Sequence, residues 1–204
     1  MNSESSGVSI LLETQYLPPV SVFVMMQSFS TIVINSEENF QKSTWRNRCA
    51  IVNANGPLLL TIPIVGGRGV RSKTKDVRIA IDQSWKHVHW RSLQAAYGKS
   101  SFFFFYEDKF WKIYEKKFEF LIDFNTDLLQ LCFEILHWEK TVSINIDEND
   151  SHFLQTVKLH TVNYKPYRQV FESKHGFIPE VSIMDLIFNL GNDASDYLSK
   201  QKAL

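Results

Sequence analysis

A mixed α/β fold, with α+β as the variant, is predicted by three features of this 204-residue chain. Short apolar and β-branched runs fill residues 8–81, helix-period apolar stripes fill most of the remainder, and the opening reads strand, proline loop, helix, strand. The strand-rich half therefore comes first, with a βαβ opening and a hairpin, and the helix-rich half second.

Val8–Leu12 is a short apolar run of the kind found in a buried strand. The turn Gln15-Tyr16-Leu17-Pro18-Pro19 follows, and Pro19 suits a first helical position, where its missing N–H costs nothing. Val20–Phe29 then reads as a short apolar helix and Thr31–Asn35 as a second strand, completing one βαβ unit. Arg48–Asn53 and Leu58–Ile64 flank Ala54-Asn55-Gly56-Pro57, where Asn-Gly accepts the positive φ of a tight turn, so an antiparallel hairpin is expected. Val77–Ile81 alternates as a further strand.

The period then changes. Trp85, His89, Ser92, Leu93, Ala96 and Tyr97 make a helical stripe ending at Gly98. Phe110, Tyr114, Phe118 and Leu121 make a second, and Leu128–Leu136 a third. Thr141–Ile146 alternates as a late strand, and residues 150–157 read as a helix. Ser182-Ile183-Met184-Asp185 has the shape of a capping box opening a helix through Leu190, and Asn192–Lys202 is a final short helix. With no repeat and no Pro/Gly/Ser-rich linker, one domain over residues 1–204 is expected, residues 1–7 being a flexible tail.

Composition narrows the function classes. Twenty-two Lys+Arg balance twenty-two Asp+Glu, which argues against a nucleic-acid binder with one strongly basic face. Sixteen Phe, seven Tyr and five Trp promise a ring-rich core. Two cysteines, Cys49 and Cys132, exclude a disulfide framework and fit reduced thiols in a cytoplasm. The N-terminus lacks the basic and apolar regions of a signal peptide, and no window is apolar enough to span a membrane. A cytoplasmic protein with a small-molecule ligand is the expectation.

Three segments could carry chemistry. Residues 66–75 hold three glycines, Arg68, Arg71, Lys73 and Lys75 just after a strand. Glycine-freed N–H groups and arginine forks suit anions, although the Walker spacing fails and a solvated loop is the plainer reading. Glu37 to Cys49 packs Glu38, Asn39, Lys42, Arg46, Asn47 and Arg48 between a strand end and the hairpin. Such density suits a polar ligand at the carboxyl edge of a sheet and equally a salt-bridged surface. Cys49 reads as a buried strand thiol before a nucleophile. His89 is either a core histidine or a general base, and Asp185 either a helix cap or a catalytic carboxylate. His87 and His89 lie two apart on a helix and point to different faces, so no metal is expected. No G-x-S-x-G, C-x-x-C or G-x-G-x-x-G occurs, and the residues alone do not name a reaction.

Several motifs in order resemble the WbqC-like family, in particular its Bacteroidetes branch. They are Tyr16-Leu17-Pro18-Pro19, Glu38-Asn39-Phe40-Gln41-Lys42, Arg46-Asn47-Arg48-Cys49, Ala54-Asn55-Gly56-Pro57 and Leu60–Ile64. Further on come Trp85, His89-Trp90-Arg91-Ser92-Leu93, Ala96-Tyr97, Ser100–Phe103, Tyr167–Phe171, Gly176-Phe177 and Ser182–Asn189. The resemblance implies a role in O-antigen, lipopolysaccharide or other surface-polysaccharide synthesis, as an acyl or glycine-type aminoacyl transferase acting on an amino-sugar precursor. The alternative is a non-catalytic ligand-binding or scaffold protein of the same pathway, and contact with other enzymes of that pathway is implied by either.

The pocket implied by the resemblance uses Tyr16, Pro18, Asn39, Lys42, Arg46, Arg48, Arg91 and Tyr97 for binding, with Arg68 and Arg71 on an anionic donor or nucleotide sugar. Glu38 or His89 would take the amine proton, Asn47 would hold the oxyanion, and Asp185 is a further carboxylate. No cofactor is implied. Two departures stand out: the family's Tyr-Phe after the double proline is Val22-Phe23 here, and its usual Pro before Phe-Phe is Ser101, followed by four phenylalanines. The opening unit also resembles, for fold only, the first βα unit of nucleotidylyltransferases, whose phosphate contacts lie at that helix N-terminus; their H-x-G-H is absent.

Overall fold

A computed structural model of the chain describes residues 9–66, 72–82, 84–144, 154–156 and 162–201. The tail at residues 1–7, Arg68 and Arg71 of the glycine loop, and Ile146 lie outside the described residues. The fold is mixed α/β. Strand β1 (Ser9–Leu12), helix α1 (Val20–Met26) and strand β2 (Thr31–Ile34) form the expected βαβ unit, with β1 and β2 parallel. Hairpin strands β3 (Arg48–Asn53) and β4 (Gly56–Thr61) come next. Helices α2 (Ser84–Tyr97), α3 (Phe103–Glu115) and α4 (Leu121–Ile135), short strands β5 (Thr141–Ser143) and β6 (Leu154–Thr156), and helices α5 (Glu172–His175), α6 (Ile183–Leu190) and α7 (Asp193–Ser199) complete it.

The parallel sheet runs β5-β2-β1-β6, so β1 is central and the carboxyl ends of β1 and β2 lie side by side. Apolar β1 and β2 occupy its middle because they are covered on both faces: Ile32 and Val33, which point to opposite faces, are both buried. The antiparallel hairpin is a separate two-stranded unit. Its turn residues are Ala54-Asn55, and Gly56, with φ +105°, supplies the positive φ that the Asn-Gly pair promised.

The aromatic content becomes a continuous ring network between the helices. Phe188 of α6 lies 5.0–5.4 Å from Tyr97, Phe103 and Phe110, in tilted and edge-on geometry.

Three expectations are corrected. Of the helix expected over residues 150–157, Leu154–Thr156 is strand β6, paired parallel with β1; the remainder lies outside the described residues. A sheet edge beside β1 offers those residues a ladder that local pattern cannot reveal. Val77–Ile81 is not a strand. Its backbone bonds to different segments in turn, with Ile79 N–H to Glu119, Ala80 N–H to Pro63 and Val65 N–H to the Arg78 carbonyl, leaving only single bridges. Finally, Leu121 opens α4 rather than continuing α3, because α3 ends at Glu115 and Leu121 N–H donates to the Val77 carbonyl.

Candidate functional site

The proline elbow, residues 13–19, leaves the carboxyl end of β1 and is tied down at both ends. Tyr16 N–H donates to the Trp45 carbonyl at 2.8 Å, which fixes the elbow against the basic segment before the hairpin. Ile183 N–H donates to the Pro18 carbonyl at 2.9 Å, and Val20 N–H to the Val181 carbonyl at 3.1 Å. The first amide of α1 is therefore consumed inside the protein. Between these anchors Leu17 is fully buried with φ +47°, an unusual backbone state for a branched residue preceding proline.

Arg46 joins the two segments. Its Nε and Nη2 donate to the two Glu38 carboxylate oxygens, each at 2.8 Å, and Nη2 lies 2.6 Å from Glu13 Oε2. Nη1 donates to Thr44 Oγ1 at 3.2 Å. Burial works against the Arg46 charge, but hydrogen bonding to Glu38 and the fields of Glu13 and Glu38 outweigh it and hold the guanidinium above its ordinary pKa. Burial raises the Glu13 carboxyl; Arg46 opposes that rise and Glu38 adds to it. Two carboxylates share one guanidinium, so the cluster carries one net negative charge.

Two hollows meet at Glu13. The wider is a cavity of about 480 Å³ between the elbow and the hairpin, walled by Trp45, Leu59, Arg46, Arg48 and Glu13 with Gln41, Ser43 and Thr44 at its rim. Arg48 is half-buried, its Nη1 reaches the Ser43 carbonyl only at 3.5 Å, and its buried Nε has no partner. Ser43 has φ +64°, so the rim turns in the left-handed region. The narrower hollow is a crevice at the carboxyl ends of β1 and β2, with room for about 10 Å³ at its floor, lined by Glu13, Gln15, Pro18, Val22, Ile34, Asn125 and Thr126 among others. The carboxyl edge of a parallel sheet is where such folds bind ligands. Val22, standing where the resemblance expects a tyrosine, lines this crevice.

The other expected residues are placed as follows. Asn47 is buried; its Nδ2 donates to the Ile62 carbonyl at 3.0 Å and its Oδ1 accepts from Ser43 N–H at 3.2 Å, so its amide clamps the loop. Lys42 donates to the Gly66 carbonyl at 2.5 Å and lines a different cavity of about 210 Å³ with Phe40, Asp76 and Arg78. Asn39 is exposed and bridges Lys73 through its backbone. Arg91 is on the exposed side of α2.

Tyr16 and His89 meet in the interior. His89 Nδ1 lies 2.9 Å from the Tyr16 hydroxyl, which also bonds the Tyr114 hydroxyl. Burial draws the His89 pKa down to about 4, against a hydrogen bond to the Thr61 backbone that favours the charged ring. Cys49 and Cys132 are buried with their thiols pushed up by desolvation.

Asp185 is 1% exposed and accepts from Tyr167 Oη at 2.7 Å and Gln169 Nε2 at 3.0 Å. The Tyr97 hydroxyl faces it without closing a hydrogen bond of ordinary length. Burial raises the Asp185 carboxyl despite these donors. The capping box forms by half: Ser182 Oγ accepts from Met184 N–H, but Ser182 N–H goes to the Ala50 carbonyl rather than to Asp185.

Glu13, Gln15, Trp45 and Asn125 were not singled out from sequence, yet each lines one of the hollows. For Glu13 the signal was an acid standing immediately after an apolar strand. Asn125 lies within a helix stripe and gave none. Among the described residues no group of three or more His, Cys, Asp or Glu is placed to hold a metal ion, and no helix is long and apolar enough to cross a membrane.

The sequence profile of the WbqC-like protein family matches residues 14–152, a span holding the elbow, the arginine segment, the hairpin and helices α2 to α4. The chain belongs to the WbqC-like protein family. A similar relative is Uncharacterized protein Rv1507c of Mycobacterium tuberculosis, 25% identical over 223 residues that cover 92% of this chain and 96% of the relative. No solved structure matches. In this WbqC-like protein the family span thus holds the lining of both hollows except Leu12 and Glu13, while Asp185 and its donors fall outside it.

Proposed function

We propose that this WbqC-like protein binds an anionic small molecule, such as a nucleotide sugar or activated acyl donor, in the Trp45–Arg48 cavity. The reaction is transfer of an acyl or aminoacyl group to the amine of an amino sugar, in the synthesis of O-antigen or another surface polysaccharide. The observation that carries the binding half is the buried, unpartnered Nε of Arg48 on the wall of a cavity large enough for such a ligand. The guanidinium is held only by the 3.5 Å bond of Nη1 to the Ser43 carbonyl, which leaves it able to take paired anionic oxygens, and Trp45 lines the same cavity as a ring for a base or sugar. The polysaccharide context and the group transferred rest on the family resemblance.

In the transfer step the amine nitrogen attacks the acyl carbon of a thioester or acyl phosphate. The new N–C bond replaces the bond to the thiolate or phosphate, which leaves, and the amine proton passes to a carboxylate. Glu13 suits that last role better than Glu38, because it lines both hollows, which Glu38 does not, and burial raises its carboxyl. A second reading, a ligand-binding protein without turnover, is favoured by the burial of His89 and Asp185 in the interior, away from both hollows.

Calorimetry and mass spectrometry with UDP-linked amino sugars and acyl donors separate the two readings. Arg48→Ala should weaken binding at least tenfold with the fold intact, since its one hydrogen bond is 3.5 Å long. Product that disappears in Glu13→Gln while binding persists supports transfer. Wild-type binding without product from any donor supports the second reading, and no binding at all removes both.

A further inference from the structure

The cavity between the elbow and the hairpin has a more apolar wall than a bare anion needs. Trp45 and Leu59 are its apolar residues, and the surface it exposes is more apolar than polar. Leu59 is 54% exposed although its strand neighbour Leu60 is buried, so the hairpin turns one face to the core and leaves the other open. Trp45 is fixed at the backbone, where its carbonyl accepts from Tyr16 N–H at 2.8 Å. The volume of about 480 Å³ lies within the range of about 300–1,000 Å³ typical of pockets for ring-bearing small molecules.

Polar groups of two kinds border that wall. Arg48 lines the cavity and forms no ion pair among the described residues, whereas Arg46 is engaged by Glu13 and Glu38. The second kind is backbone. Leu59 stands opposite Ala50 in the β3–β4 register, and the Ala50 carbonyl accepts from Ser182 N–H, outside the hairpin. Directly opposed residues of an antiparallel pair either bond each other or both point away, so the N–H and C=O of Leu59 lie on the outer edge of β4. Neither has a partner among the described residues. One residue thus offers a donor and an acceptor side by side, the complement of the donor–acceptor edge of a nucleobase.

We infer that the ligand of this cavity carries a nucleoside diphosphate: its base stacks on Trp45 beside Leu59 and bonds the open edge of β4, and its diphosphate lies on Arg48. The inference deepens the function proposed above and rests on the anion-binding half of that reading. Nucleotide sugars and coenzyme A thioesters share this chemical part, and acyl phosphates lack it. An acyl phosphate would use Arg48 and leave the apolar wall and the strand edge without a role.

Calorimetry on the whole chain compares UDP, ADP and inorganic pyrophosphate. At least one nucleotide should bind about tenfold tighter than pyrophosphate, UDP if the source is a nucleotide sugar and ADP if it is a coenzyme A thioester. Trp45→Leu, which keeps the wall apolar, should lower nucleotide affinity about tenfold, as loss of one base–aromatic stack does, and leave pyrophosphate affinity unchanged. Leu59→Pro should bind nucleotide about fivefold more weakly than Leu59→Ala, because only the first removes the N–H. The hairpin tolerates that proline, since Pro57 already holds an edge position of the same kind two residues earlier. Equal affinity for pyrophosphate and both nucleotides, or nucleotide affinity unmoved by Trp45→Leu, overturns the inference. Equal affinity in Leu59→Pro and Leu59→Ala overturns the part assigned to the strand edge. If pyrophosphate alone binds and Arg48→Ala abolishes it, the anion-binding reading stands without the nucleotide. Tight UDP or ADP binding with no product from any donor upholds the nucleotide site and removes the transfer reading.

Discussion

Arg46 is held to Glu13 by a single 2.6 Å contact, and through it the end of the central strand is bound to the segment that opens the hairpin. Asn125 strengthens the join from α4 by donating to the Arg46 carbonyl at 2.9 Å. Removing the guanidinium would leave Glu13 and Glu38 facing each other, half-buried and without a counter-charge. Arg46→Met should therefore destabilise the protein by about 3 kcal/mol at pH 7, as loss of one partner from a buried ion pair does. Protonation of Glu13, whose carboxyl burial already raises, relieves the repulsion, so the loss should shrink near pH 4. Urea melts at the two pH values check this; an equal loss at both would mean that Arg46 acts through packing alone.

His89 should make stability fall in mild acid. Its folded pKa of about 4 lies below the ordinary 6.5, so the unfolded chain takes up the proton first. The stability from the neutral ring is complete above pH 6.5 and is lost as pH drops toward 4. That interval corresponds to about 3 kcal/mol. A ring-carbon NMR titration should find His89 neutral at pH 5.5, and His89→Gln should flatten the stability profile in this window.

The parts of the fold that could be read from sequence are those whose signal is local. Pro18-Pro19 between apolar runs marks the βαβ opening, Asn55-Gly56 the hairpin, and the stripe from Trp85 to Tyr97 one long helix. Strand β6 was hidden because three residues have no measurable period and their partner is β1, at the far end of the sequence. The alternation of Val77–Ile81 misled because its backbone bonds to the Pro63 and Glu119 loops in turn. At the site, the basic cluster was visible but its division of labour was not. Arg46 and Arg48 are two apart in sequence; only the position of Glu13, set by the sheet, makes one an ion-paired strut and leaves the other facing a cavity.

Asp185 should be replaceable by its neutral isostere. Burial raises its carboxyl above the ordinary 3.8, so the folded state holds the proton more tightly than the unfolded chain. Its contribution to stability is then complete below pH 3.8 and lost as pH rises through the folded value. Asp185→Asn keeps an oxygen for Tyr167 and Gln169 and turns an N–H toward the unpartnered Tyr97 hydroxyl. At pH 7 it should be neutral or stabilising by about 1 kcal/mol, whereas Asp185→Ala, which strands two buried donors, should cost about 2–3 kcal/mol. Denaturant midpoints for the pair decide; equal losses would mean that the charge itself is needed.

Two glycines separate backbone strain from crowding. Gly176 and Gly191 both have positive φ, at +70° and +56°, where a side chain is strained. A Cβ at Gly176 would meet nothing within 4 Å, but at Gly191 it would strike the Phe102 ring. The backbone that carries the ring is held, because Phe102 N–H donates to the Phe188 carbonyl at 2.9 Å and so ties the start of α3 to α6. Gly176→Ala should cost about 1 kcal/mol and lower Tm by about 2–4 °C. Gly191→Ala should lose about 1–3 kcal/mol more, the cost of overpacking. Equal shifts in the two variants would mean that the ring moves aside freely and that the α3–α6 contact is looser than its hydrogen bond implies.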